Sequence, residues 1–350
     1  MDTAIYLNKN HSLCFNNNSF SSVTERFVIE RNTLIAKGKT SNAGIACYIC
    51  EFICKNYESL KSFSTIPNSC LEHIIREKVD INGQTYWRWE AEPIRDDYYY
   101  PIDWDDTCKA IDAIVAYTKI LPLDVPISLP KTDNLLDLLY TSIFNSKEAG
   151  EDVKIKCKND LAMYMFIADL HQKPNNAEDI FVTAVTLRTF IVTLHLRNQE
   201  LLSLTDQLLS RVFEIAEWGL ENRIPFSFIS RCYLSWGFLL HLLQEISFEL
   251  SNYFNSCEKL IALYFKKEIF RLLHENKLKP FLIYDELSHA IIISKRNNSS
   301  TPIRNDLLKE IHLSNEFQTS FLYRHRRLDH YYGSQYLSKL IRIIATERMY

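Results

Sequence analysis

From about Ala43 onward, apolar residues recur at intervals of three and four, the spacing that gives a helix one buried face. The pattern predicts helices over 43–57, 68–79, 106–120, 132–146, 158–171, 178–196, 200–221, 227–248, 252–277, 283–295, 304–314 and 332–347. Strand signals, with their period of two, are few. Pro130, Pro174, Pro225, Pro280 and Pro302 fall between the predicted helices, where a residue lacking an N–H interrupts no ladder. The expectation is an all-α protein with one helical domain over 41–350.

Residues 1–40 differ, being rich in Asn (8, 10, 16, 17 and 18) and mixed in polarity, and are expected to form an N-terminal arm or partial helix. A polar run, Lys295 to Thr301, reads as an exposed loop before the last two helices. Such a succession of helices closes as a bundle, a right-handed solenoid or a double ring of alternating inner and outer helices. The lack of a strict sequence repeat weighs against the solenoid.

Composition narrows the function classes. With 40 Lys+Arg against 43 Asp+Glu, a net charge of -3 and 47% hydrophobic residues, the chain is neither a general nucleic-acid binder nor intrinsically disordered. Only 7 of 350 residues are glycine, and no GxGxxG or GxxxxGK[ST] string occurs, so dinucleotide and P-loop sites are excluded and tight hairpins are not expected. Nine cysteines, an odd number, follow a start with no basic segment leading into an apolar run. They read as reduced thiols in a cytoplasmic protein. The most apolar stretch, Phe226 to Leu250, is broken by Arg231, His241, Gln244 and Glu245, so no membrane-spanning helix is expected, which leaves peripheral membrane contact open.

One segment concentrates chemistry. Between Tyr86 and Asp106 lie seven aromatics (Tyr86, Trp87, Trp89, Tyr98, Tyr99, Tyr100, Trp104) and five aspartates (96, 97, 103, 105, 106). The acidic end precedes an apolar-periodic run, which puts Asp105 or Asp106 at a helix N-terminus, where a carboxylate accepts free N–H groups. The same residues fit proton chemistry. Crowded, partly buried carboxylates cannot all ionise, so one stays protonated at neutral pH. Neighbouring rings would stabilise a desolvated cation, each by about 2 kcal/mol.

Pro101-Ile102-Asp103-Trp104-Asp105-Asp106-Thr107 resembles the DxDDT motif of class II terpene cyclases, the squalene–hopene cyclase relatives. Tyr323-Arg324-His325 with His330-Tyr331-Tyr332-Gly333-Ser334-Gln335-Tyr336-Leu337 looks like the last inner helix of toroid proteins in the prenyltransferase and squalene-cyclase superfamily, and Asn159 to Tyr164 like another inner helix. The resemblance implies a single α/α toroid, in which Asp105 would be the general acid that protonates an isoprenoid and starts cyclisation or isomerisation. Asp103 and Asp106 would orient it. Trp87, Trp89, Tyr100, Trp104, His330 and Tyr332 would line the substrate cavity, and Arg324 would hold an anionic tail. No cofactor is required on this reading, although a diphosphate substrate would bring Mg²⁺, for which Asp96-Asp97 offers ligands. The glycine-containing QW repeats of the large cyclases are missing. The chain has length for one toroid, so a smaller substrate, a partner subunit closing the cavity, or loss of catalysis each fits.

Three other readings stand beside this one. A non-catalytic toroid would bind a protein or lipid at its mouth. A zinc-dependent prenyltransferase-like protein would use Asp106, Cys108 and His330. An α/α-barrel glycosidase would pair Glu90 with one of Asp103 to Asp106. Cys47, Cys50 and Cys54 share a helix face and read as small apolar residues at a close helix contact.

Overall fold

The computed structural model describes residues 25–30, 33–39, 43–88, 102–122, 127–131, 133–135, 139, 143–145, 161–163, 179–197, 199–230, 235–275, 280–297, 320–325 and 330–346. These residues are mostly helical. In chain order the helices are α1 (Ala43–Lys55), α2 (Ile66–Arg76), α3 (Trp104–Thr118), α4 (Ile180–Arg188), α5 (Gln199–Glu221), α6 (Phe226–Ile229), α7 (Trp236–Glu249), α8 (Phe254–Tyr264), α9 (Phe270–Glu275), α10 (Pro280–Asn297) and α11 (Gln335–Thr346). Strands β1 (Glu25–Glu30), β2 (Thr33–Lys39), β3 (Lys78–Ile81), β4 (Gln84–Trp87), β5 (Ile143–Asn145), β6 (Leu161–Met163), β7 (Ser320–His325) and β8 (His330–Ser334) complete the framework.

Six helices pack in a closed circuit: α1 on α3, α3 on α4, α4 on α7, α7 on α10, α10 on α11, and α11 back on α1. Side-chain contacts fix their direction. Asp112 of α3 meets Arg188 at the end of α4, Arg188 meets Glu245 of α7, and the Gln244 amide donates to the Ile293 carbonyl of α10. Near the other end, Phe181 of α4 lies 5.1 Å from Phe238 of α7, whose ring stacks on His289 of α10. Helices matched start to start and end to end are parallel. α2 packs outside α1 and α3, while α5 and α8 pack against each other and against α4 and α7 respectively. α4 is buried along its whole length, Ile180–Arg188, as expected of a helix with neighbours on all sides.

Several elements differ from the periodicity. Residues 25–39, expected as an arm or partial helix, form β1 and β2 of an antiparallel sheet ordered β2-β1-β8-β7. The predicted helix 332–347 begins only at Gln335, because 330–334 is committed to pairing with β1, Tyr332 opposite Arg26 and His330 opposite Val28. Leu161–Met163, inside the predicted helix 158–171, pairs with Ile143–Asn145. Lys295 to Asn297, expected as loop, continues α10. A tight hairpin joins β3 to β4 through Asn82 (φ 52°) and Gly83 (φ 76°), a two-residue turn of the type that Asn-Gly favours.

Candidate functional site

The acidic motif opens α3. Asp103, in extended conformation, caps the helix by accepting the Asp106 N–H at 2.9 Å. Strand β4 anchors this end: the Trp87 carbonyl accepts from the Asp103 N–H (3.4 Å) and the Thr107 hydroxyl (3.3 Å), and the Thr107 hydroxyl accepts the Trp87 N–H (3.2 Å). The hairpin thus fixes the backbone that carries the three aspartates. One helix along, Asp179 caps α4 by accepting the Phe181 N–H (2.8 Å) and the Val182 N–H (3.4 Å), and it also accepts from the Ser230 hydroxyl at 2.9 Å. Four aspartates therefore gather where two parallel helices begin, and their charge is favoured by both dipoles.

All four are buried, so they are not solvated caps. Burial, and then the charges of Asp106 and Asp105, push the Asp103 carboxyl well above the carboxylate range. Burial raises Asp105 to about 6, opposed by a hydrogen bond with Asp103 and by the Lys109 ammonium and reinforced by Asp179. The two carboxyls titrate as one dyad that keeps a proton between them at mildly acidic pH. The nearby Tyr48 hydroxyl is pushed up by burial and by the Asp105 and Asp106 charges, so it stays a neutral donor.

Trp87 and Trp104 are fully buried core: the Trp87 indole N–H donates to the Ile74 carbonyl at 2.8 Å, and Trp104 meets Phe190 edge-on at 6.1 Å. Trp89, Tyr100, Glu90 and Asp96-Asp97 lie outside the described residues. Arg324 falls on β7, and His330 and Tyr332 fall on β8, so none of these three sits on a helix. Of the zinc set, Asp106 lies beside Tyr48 and Cys47 of α1, Cys108 bonds toward Thr186 of α4 and Thr189 just after it, and His330 falls on β8. Among the described residues no group of three or more His, Cys, Asp or Glu is placed to hold a metal.

A second polar cluster, not singled out by the sequence, lies inside the circuit. On α3 the residues Asp105, Lys109 and Asp112 share one inward face at i, i+4 and i+7. Arg188, 1% exposed, pairs with Asp112, with Glu51 of α1 and with Glu245 of α7 (2.8 Å). Asp112 also accepts from the Thr193 hydroxyl at 2.6 Å and the Thr189 hydroxyl at 2.9 Å, which a wider, π-type turn over 189–193 delivers. Lys55 bonds Glu51 at 2.9 Å and Glu245 at 3.0 Å. This cluster borders a cavity of about 50 Å³ to which all six circuit helices contribute, including Tyr48, Lys109, Phe238, His289 and Ile341. The signal in the sequence was a charge at core spacing: Arg188 in an apolar run, and Glu51 among alanines, cysteines and isoleucines.

No family model, curated protein or solved structure matches this chain. Among the described residues no helix is long and apolar enough to cross a membrane.

Proposed function

We propose that the chain is a single α/α toroid of terpene-cyclase type, with the Asp103–Asp105 dyad as proton source for a small unsaturated isoprenoid. The toroid reading is supported by the closed circuit of six helices with α2, α5 and α8 packed against it. The chemical reading rests on one observation above the others: the aspartates of the motif are buried carboxyls sharing a hydrogen bond, with Asp105 held at about 6. Asp105 gives its proton to the alkene carbon, Asp103 returns one through their hydrogen bond, and the cationic intermediate loses a proton to regenerate the dyad. Tyr48 and Phe238 supply the ring faces that such a cation needs, since they already hold the Lys109 ammonium at 4.2 and 5.3 Å from their centroids.

A second reading has its own observation. The cavity is small and its aromatic faces are occupied by Lys109, as in a non-catalytic toroid that binds a protein or lipid at its mouth. Wild type and Asp105→Asn are incubated with linear isoprenoids, as alcohols and as diphosphates with Mg²⁺, and products are read by mass spectrometry. Cyclic or isomerised product from wild type alone supports the acid role, and absence of turnover with every substrate favours the binding module.

A further inference from the structure

A further buried carboxyl lies outside the acidic motif. Glu286 of α10 is 7% exposed, and Tyr264, the last residue of α8, is fully buried. The Glu286 Oε2 accepts the Gly237 N–H at 2.9 Å, in the first turn of α7, and meets the Tyr264 hydroxyl at 2.6 Å. The Ser235 hydroxyl, which caps α7 by accepting the Phe238 N–H at 3.0 Å, also bonds this carboxyl. Three helices, α7, α8 and α10, therefore meet on one side chain.

All of these partners are neutral. From the wide, π-type turn that follows α8 (265–269), Glu268 adds a like charge, itself paired with Arg271 at 2.6 Å. On α10, His289 follows three residues on, and burial lowers its pKa to about 4, so it is uncharged near neutrality. Among the described residues, α11 and β7, which also pack on α10, bring Glu286 no charged partner. Burial without a counter-charge, reinforced by Glu268, raises Glu286 to about 7 against the hydrogen bonds from Tyr264, Gly237 and Ser235.

The hydroxyl geometry shows what the proton does. The Tyr264 oxygen lies 2.6 Å from Oε2 and 3.1 Å from the Glu286 main-chain carbonyl oxygen, two acceptors for a single phenolic proton. With Glu286 ionised, Tyr264 donates to the carboxylate and the carbonyl contact lacks a proton. With Glu286 protonated, the carboxyl O–H donates to the Tyr264 oxygen, whose own proton turns to the carbonyl. The protonated state thus fills both contacts, while the ionised state leaves one unfilled and a charge buried among neutral groups. The same contact borders the central cavity: Phe238, next to Gly237, and His289 stack at 5.2 Å and both line it.

We propose that Glu286 and Tyr264 form a proton-operated latch between α7 and α10, closed while the carboxyl keeps its proton and loosened when the proton leaves, so that the cavity wall at Phe238 and His289 opens on the alkaline side. The latch does not depend on Asp105 acting as an acid.

The test follows two readouts in the full-length protein from pH 5 to 9: the side-chain carboxyl ¹³C resonances of glutamate-labelled protein, and amide hydrogen exchange along α7 and α10, corrected for the intrinsic effect of pH. The Glu286 resonance, identified by its loss in Glu286→Gln, is expected to titrate near neutrality. A carboxyl that moves from about 7 in the closed contact to the ordinary 4.5 in the open one makes opening about ten-fold easier at pH 8.5 than at pH 6, so protection at the start of α7 should fall by that factor. In Glu286→Gln, whose amide N–H reproduces the protonated donor, protection should stay level. A Glu286 resonance that titrates below pH 5, protection that ignores pH while Glu286 titrates, or the same loss of protection in Glu286→Gln would overturn the proposal. If Glu286→Gln does not fold, Tyr264→Phe takes its place: the near-neutral resonance should move to a higher midpoint, because the carboxylate has lost a donor, and an unmoved midpoint rejects the latch.

Discussion

Arg188 and Asp112 face each other where α4 meets α3, with guanidinium and carboxylate both sheltered from solvent. Glu51 and Glu245 reach the same guanidinium from α1 and α7, so one side chain joins four helices. Removing it would leave three carboxylates buried together. Arg188→Met is therefore expected to cost about 3–5 kcal/mol, the range for breaking a buried ion pair from one side. Arg188→Lys recovers only part, because an ammonium cannot address three partners in the planar fork that a guanidinium offers. Chemical denaturation of the three proteins measures both effects.

The dyad predicts a pH dependence of stability. Asp105 titrates near 3.8 when unfolded and near 6 when folded, so its stabilising contribution is complete below about pH 4 and is lost as pH rises through 6. His289 works in the opposite sense: with its pKa lowered to about 4, its contribution is present above about 6.5 and lost as pH falls through 4. Melting temperatures between pH 4 and 7 should show Asp105→Asn losing the component that weakens the protein toward neutrality. His289→Phe, which preserves the stack on Phe238, should lose the component that weakens it toward acid.

Gly83 has positive φ and open space where a Cβ would stand, so the cost of Gly83→Ala is conformational alone, about 1 kcal/mol. Asn82 shares the turn and needs no change. Urea unfolding reads the stability.

Gly237 is a different case. A Cβ there would stand 2.7 Å from the Cβ of His289 and 2.8 Å from the Tyr264 hydroxyl, close to the Glu286 carboxylate that accepts the Gly237 N–H. Gly237→Ala must push α7 away from α10 and is expected to cost about 1–3 kcal/mol by overpacking. Thermal unfolding measures the loss.

Most of the helical framework was legible because a period of 3.6 is a local property: α1, α2, α3, α5 and α10 lie within a few residues of their expected bounds. β1 was not, although it pairs with the neighbouring β2: its other partner, β8, is at the far end of the sequence, and pairing at that range leaves no local mark. Tyr332 is a good strand residue, yet it was absorbed into the periodic run that begins at Gln335. The β3–β4 hairpin did carry its signal, Asn82-Gly83, which the scarcity of glycine elsewhere obscured. At the site, the aspartates were found by their crowding. Lys109 and Asp112 were missed because they follow the motif at helical spacing and belong to the same face, while Glu51, Arg188 and Glu245 come together only through the packing of separate helices.

The register of the four-stranded sheet carries a consequence for biosynthesis. Glu25 lies opposite Gly333, so β1 emerges from the ribosome long before the strand that completes it. Until then β2 is its only neighbour in this sheet, and α1 lacks α11, the last helix of the circuit. The edge of β1 and the open flank of α1 are thus exposed throughout elongation, the condition under which nascent chains recruit chaperones or pair with one another. Stalling translation just before β8 should yield a chain that binds such factors, and releasing the final segment should discharge them.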